Sequence, residues 1–287
     1  MKTGLISLLK HGVEIMIKNN IICFSLVFLL LCVFVDKSFA HVPAQASKNK
    51  KNIKLFNGKN LEGWYIFLKG RGINNDPKKV FTIKNKTIRI SGEEWGCITT
   101  NEEFENYTIE MDFKWGEKTY GNRATKAKDS GLLLHSQGVD GGASGIWMHS
   151  IEYNIIEGGT GDFIVVGDKT DNFSITSNVS DKLQNGVAVF HPDGKPITIN
   201  KGRINWLNRD PNWRDELGFR GKNDVEKPVG QWNKVKCIVK GDKITSYLND
   251  ILVNEGYHVK PSRGRIQIQS EGAELFVRKI ILTPLSN

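Results

Sequence analysis

The feature that most constrains this chain is a series of short segments in which polar and apolar residues alternate, separated by turn residues, with no long amphipathic helix beside them. Phe81–Ile90, Tyr107–Trp115, Gly131–His135, Ser150–Glu157, Trp232–Lys240, Lys243–Leu248, Gly264–Gln269 and Leu275–Leu282 are rich in β-branched and aromatic residues. That pattern predicts half-buried strands. Lys84-Asn85-Lys86, Lys240-Gly241-Asp242 and Leu248-Asn249-Asp250 supply tight turns between them, through residues that tolerate turn geometry. Strands with one apolar face and no helix to cover it must pack sheet on sheet, so the expected class is all-β, a sandwich of two antiparallel sheets. Asp168 to Gly230 is polar and breaks the pattern. It is expected to form long ordered loops, which in compact domains usually carry function.

Residues 1–40 have a different character. Met16-Ile-Lys-Asn-Asn leads into an apolar run from Ile21 to Val35, followed by Ser38-Phe-Ala40. A basic start, an apolar centre and a small-x-small site form the layout of a cleaved signal peptide, with translation able to begin at Met16. The run has fifteen residues, short of the roughly 20 that a membrane-spanning helix requires. Leu31 before Cys32 disfavours a lipoprotein anchor. Residues 41–52 are polar and Lys-rich and read as a flexible tether, which leaves 53–287 as one β-sandwich domain. The expected location is therefore periplasmic or extracellular, with no membrane attachment after cleavage.

Residues 1–40 hold four basic and two acidic residues, so their removal takes the formal charge from +9 to +7. The basic residues are dispersed and no helix presents them as a face, which argues against nucleic acid as a partner. Solubility is the simpler account of the charge. Only Cys97 and Cys237 remain in the mature chain. Two cysteines are too few for a disulfide scaffold and match neither zinc-finger nor CxxC spacing; a disulfide between them and two buried thiols both stay open.

Six motifs follow one another in a recognisable order. They are Leu55-Phe-Asn-Gly-Lys-Asn-Leu-Glu-Gly-Trp64, Asp129-Ser-Gly131, Ile151-Glu-Tyr-Asn154, Gly230-Gln-Trp-Asn233, Ser246-Tyr-Leu-Asn249, and Gly264-Arg-Ile-Gln-Ile-Gln269 with Phe276-Val-Arg-Lys-Ile280. Together, over about residues 53 to 285, the chain resembles the 3-keto-disaccharide hydrolase family. The resemblance implies a concanavalin-like jelly-roll sandwich related to family 16 glycoside hydrolases, and cleavage of glycosides already oxidised at C3. The chain departs from the common pattern at Asn154, where Gln is usual, at His135, where Arg is common, and at Glu157, where many members carry Asp.

In an extended strand Glu152, Asn154 and Ile156 face one side and Glu157 the other. A β-bulge between Asn154 and Glu157 reverses that parity, and the spacing resembles the bulged carboxylate motif of family 16 glycoside hydrolases. Glu152, Asn154 and Glu157 are therefore expected to share the concave face; capping the following Gly-rich turn is the plainer role for Glu157. A ketone at C3 acidifies the C2 hydrogen, so a base can remove it and expel the C1 oxygen by β-elimination, with water adding back. Such chemistry needs a tuned base, an acid and positive charge at the enolate oxygen. Glu152 is the candidate base and Glu157 the candidate acid, with the reverse assignment open.

Around them, His135 and His149 are candidates for the same cleft, and His135, Glu152 and Asp162 could hold a divalent cation, although the chemistry requires no cofactor. Trp147, Trp206 and Trp213 can stack on a pyranose. Arg209 and Arg220 offer planar donors, Arg220 to a keto oxygen. Gln269 and Glu271 close the list, because Gln267 and Gln269 occupy a strand face otherwise expected to be apolar. Trp64, Trp115 and Trp232 lie in patterned segments and read as core. The expected partner is an oligosaccharide or glycoside; an endo-acting glycoside hydrolase and a non-catalytic carbohydrate-binding module remain the alternatives.

Overall fold

A computed structural model describes residues 51–286; the expected signal segment and nearly all of the tether lie outside the described residues. In chain order the strands are β1 (Ile53–Lys54), β2 (Trp64–Leu68), β3 (Gly72–Ile73), β4 (Phe81–Lys84), β5 (Thr87–Ile90), β6 (Gly96–Thr100), β7 (Tyr107–Thr119), β8 (Asp129–Gln137), β9 (His149–Ile156) and β10 (Phe163–Val166). They continue as β11 (Ser174–Val179), β12 (Ala188–Val189), β13 (Lys195–Ile199), β14 (Gly202–Asn205), β15 (Asn233–Lys240), β16 (Lys243–Leu248), β17 (Ile251–Lys260), β18 (Arg265–Ser270) and β19 (Ala273–Pro284). One sheet runs β13-β11-β17-β16-β15-β7-β19-β5-β4 with β1 beside β19, and the other runs β12-β14-β10-β9-β8-β18-β6-β2-β3. Pairing is antiparallel apart from the short β12–β14 contact. This is the concanavalin-like jelly-roll sandwich.

Alternation explains how the sheets meet. Tyr107, Ile109, Met111, Phe113 and Trp115 point inward from β7 while their neighbours stay half-buried. From the facing sheet Leu132, Leu134, Ile151, Tyr153 and Ile155 join them in one core, each large side chain contributing about 1.5–3 kcal/mol. The predicted hairpins form at Asn85-Lys86 and Asn249-Asp250, all four residues having positive φ. Left-handed pairs of this kind match the right-handed twist of the flanking strands.

Several expectations change. Asp168 to Gly230 is not one run of loops, because β11, β12, β13 and β14 fall inside it. β13 is an edge strand with no fully buried residue, so it lacks the apolar face that marks a strand in sequence. β6 is buried at every position, which erases alternation from the opposite cause. Trp232 lies outside the core, half-buried, with Arg278 3.9 Å and Lys114 5.2 Å from its ring centroid. Cys97 and Cys237 are both free and buried; they sit on β6 and β15, in different sheets.

Candidate active site

The outer face of the second sheet carries polar side chains under a cover of loops. Register between β8 and β9 sets Leu133 opposite Glu152, Gly131 opposite Asn154 and Asp129 opposite Ile156. Gly131 leaves room for what lies beside it: a Cβ there would stand 2.5 Å from both Glu152 Oε1 and Gln269 Oε1. The Asn154 amide Nδ2 points to Glu152 Oε1 at 2.9 Å, Asp129 Oδ1 at 3.1 Å and the Ser130 carbonyl at 3.2 Å, tying two carboxyl groups to one donor. Asp129 is ion-paired with Arg123, whose other nitrogen holds Asp215 at 2.7 Å.

These groups open into a cleft of about 610 Å³ whose walls include Arg123, Asp129, Trp147, His149, Glu152, Asn154, Arg203 and Glu271. Trp147 is fixed by its indole N–H, which donates to the Gly96 carbonyl at 3.2 Å. His149 Nδ1 lies 3.1 Å from the Val166 carbonyl and the ring packs on Phe173. Gln269 is buried beside Glu152, the side-chain oxygens of both approaching Gly131.

Burial, followed by the charge of Asp129, pushes the Glu152 carboxyl up to about 8. Burial and the neighbouring Asp129 and Glu152 hold Glu271 well above the usual carboxylate range. Burial raises Asp129 as well, against the pull of Arg123. The cleft thus combines one carboxyl pushed up to about 8 and two more raised by burial with two guanidinium groups.

The bulge expected between Asn154 and Glu157 is absent. β8 and β9 pair in register through Ile156, and the Glu157 N–H continues the ladder to the Lys128 carbonyl at 2.9 Å. On the other side the Asn154 and Gly161 N–H groups close the turn onto Asp162 and Asn154, both at 2.9 Å; the turn absorbs the extra residues. Parity therefore turns Glu157 away from the cleft, where Oε2 accepts from the Gly218 N–H at 2.9 Å and weakly from Lys128 at 3.4 Å.

An irregularity does exist, on β8, between Leu134 and Gln137. His135 sits there with a φ of 55° and turns into the core, edge-on to Tyr107, with Nδ1 2.7 Å from the Pro261 carbonyl. Burial brings the imidazole down to about 4. His135 is thus not in the cleft.

Asp162 is fully buried and engaged by the Trp206 N–H at 2.8 Å, by Arg203 at 2.8 Å and by Arg209. The cation set His135, Glu152 and Asp162 is therefore not assembled, and among the described residues no cluster of three His, Cys, Asp or Glu is placed to hold a metal. Trp206 is core, 1 % exposed. Arg209 is buried with its guanidinium 4.0 Å from the Trp213 ring centroid, and the Trp213 indole donates to the Glu157 carbonyl at 3.0 Å. Arg220 is bound to Asp224 at 3.1 Å and to Glu226. These residues fold their own loop rather than line the cleft.

Sequence reasoning missed Arg123, Asp129 and Arg203. Asp129 had a signal, since it opens the Asp129-Ser-Gly131 motif opposite the Glu152 strand. Arg123 lies in a single 3-10 turn, Gly121–Arg123, and Arg203 on β14 inside the stretch read as loop. Neither carries a local mark.

Residues 51–283 match the family model described as a 3-keto-alpha-glucoside-1,2-lyase-like domain. No curated protein matches the chain. Similar solved structures include a candidate glycosyl hydrolase from Parabacteroides distasonis, 16% identical over 82% of this chain and 94% of that one, with a TM-score of 0.48. A second candidate glycosyl hydrolase from the same organism is 18% identical over 82% of this chain and 100% of that one, with a TM-score of 0.45. The carbohydrate-binding module CBM66 from Bacillus subtilis is 12% identical over 77% and 95%, with a TM-score of 0.38.

Proposed function

The chain belongs to the 3-keto-alpha-glucoside-1,2-lyase-like family, and from that premise we propose that it is an enzyme cleaving 3-keto-glycosides in the cleft around Glu152. As a member of that family with this sandwich it is a carbohydrate-acting protein; the reaction is our reading. One observation carries it: a buried carboxyl, pushed up to about 8, stands at the floor of a polar cleft that also presents Arg203. A base with a pKa near the working pH suits removal of a carbon-bound proton.

In this reading Glu152, once ionised, takes the C2 proton. The C–H electron pair moves into a C2–C3 double bond and the ketone becomes an enolate, whose oxygen is held by Arg203. Collapse of the enolate forms the C1–C2 double bond and breaks the bond from C1 to the leaving oxygen, which takes a proton from Glu271. Water then adds at C1 to give the free 3-keto-sugar. Glu271 replaces Glu157 as the acid because it faces the same cleft, and Arg203 replaces Arg220 because it lines that cleft while one of its nitrogens is held by Asp162 at 2.8 Å. The steps need no cofactor.

Export is also proposed, from the layout of residues 1–40. The test is incubation of protein recovered from outside the cytoplasm with 3-keto-trehalose and 3-keto-glucosides beside their unoxidised parents, with and without chelator. The keto substrates alone should be cleaved, and Glu152→Gln should lower turnover by about 10²–10⁴-fold. Cleavage of the parents only would sink the keto-sugar reading. Unchanged turnover in the variant would remove Glu152, loss of activity with chelator would add a divalent cation, and protein confined to the cytoplasm would remove export.

A further inference from the structure

A second cleft of about 490 Å³ lies beside the first, lined by Lys69, Glu93, Glu94, Trp95, Asn122 and Ile146. The two share a wall at two places in the chain. Trp147 lines the first cleft while the adjacent Ile146 lines the second, and Arg123 lines the first while Asn122 lines the second. Between them stand two indoles, Trp95 and Trp147, with ring centroids 5.9 Å apart and planes inclined by 30°. Both are half-buried, so part of each aromatic surface meets solvent. Trp147 is anchored by its N–H on Gly96. The Trp95 segment is pinned at its own backbone, since Lys69 N donates to the Trp95 carbonyl at 2.9 Å and Ser270 Oγ to the Glu94 carbonyl at 2.7 Å.

Sheet order gives the pair a direction. Glu152 is on β9, and β8, β18 and β6 follow in that order. Ser270 pairs with Gly96, so Glu271, one residue beyond β18, lies next to Trp95, one residue before β6. The proton donor therefore sits between the base and Trp95, and three strand spacings, about 14 Å, separate β9 from β6. That span exceeds one sugar ring.

We propose that the Trp95 cleft is a subsite for the leaving group, and that its occupant is the second pyranose ring of a disaccharide, stacked by its C–H face on Trp95. An aromatic face flanked by Lys69, Glu94 and Asn122 suits a ring that is apolar on its faces and hydroxylated at its rim. The inference rests on the reading of Glu152 and Glu271 given above, and it extends that reading from the bond cleaved to the group released.

The test uses the mature chain with a 3-keto-disaccharide and the methyl 3-keto-glucoside as paired substrates. Trp95→Ala should reduce the preference for the disaccharide, taken as the ratio of kcat/KM values, by about tenfold, through KM, and Trp95→Phe should restore most of it. An unchanged ratio, or equal loss on both substrates, overturns the subsite. In parallel, calorimetric titration with the unoxidised disaccharide and with its monosaccharides separates this idea from the reaction. If the wild type cleaves neither keto substrate, the catalytic reading fails. Even then, tighter binding of the disaccharide that is lost in Trp95→Ala and kept in Trp95→Phe supports the subsite, and equal affinity for mono- and disaccharide sinks it.

Discussion

At position 131 a side chain of any size collides with the groups that give the cleft its chemistry. A Cβ at Gly131 would press on Glu152 Oε1 and Gln269 Oε1, both buried oxygens that packing holds in place. Gly131→Ala is therefore expected to fold and to lose about 10²-fold in kcat, the cost of displacing the proposed base by roughly an ångström. Activity within threefold of wild type, with Tm unchanged, would show that the Glu152 position tolerates movement. The Asp129-Ser-Gly131 motif was visible in sequence, but its meaning was not. Only the register across from β9 shows that the glycine makes room for Glu152 and that Asp129 shares the Asn154 amide with it. Trp206, by contrast, reads like a loop tryptophan and is core, because its backbone N–H is tied to the buried Asp162, to which Arg209 of the following loop is also paired.

Parity along β9 decides which carboxylates face the cleft. The alternation from Ser150 onward was legible, and so was the placement of Glu152 and Asn154 on one face. A bulge, however, costs little in local sequence, and nothing in Ile155-Ile156-Glu157 distinguishes one from a regular turn. The ladder to β8 settles the matter through partner hydrogen bonds that lie outside the segment. Because Glu157 faces away and accepts from Gly218, Glu157→Gln should keep kcat/KM within about threefold while weakening the hydrogen bond from the Gly218 N–H, lowering stability by about 0.5–1.5 kcal/mol. Steady-state kinetics and thermal melts check both halves; a loss of turnover comparable to that of Glu152→Gln would return Glu157 to the chemistry. The β8 irregularity teaches the same lesson in reverse. His135 is in phase with the cleft by simple alternation, and the register shift sends it into the core against Tyr107.

Across the whole molecule, buried carboxyls couple folding to pH. Glu226 accepts from the Trp115 indole at 2.7 Å and from Thr160 Oγ1 at 2.6 Å, joining one sheet to the turn after β9. Burial pushes it up to about 8, as it does Glu152. A carboxyl raised in the folded state stays protonated there while the unfolded chain ionises. Its contribution to stability is thus full below about pH 4.5, declines as pH rises, and is gone above about pH 8. Glu226→Gln removes that titration at one site, so the variant should melt higher than wild type at pH 9, by about 2–4 °C for each kcal/mol recovered, with the gap closing at pH 5. A gap that is the same at both pH values would mean that Glu226 does not titrate in this range. The sequence by itself determined the sandwich, since strands that alternate between polar and apolar residues without helices can bury their faces only against another sheet. It also determined the Glu152 strand as the place to look, because charge in mid-strand is expensive unless it is used or paired. Trp147, His149, Asn154 and Glu271 were legible as candidates for the same cleft, but the rest of its membership was decided only by tertiary structure. Arg123, Asp129 and Arg203 lie on three different elements, and contacts between elements leave no periodicity in any one of them.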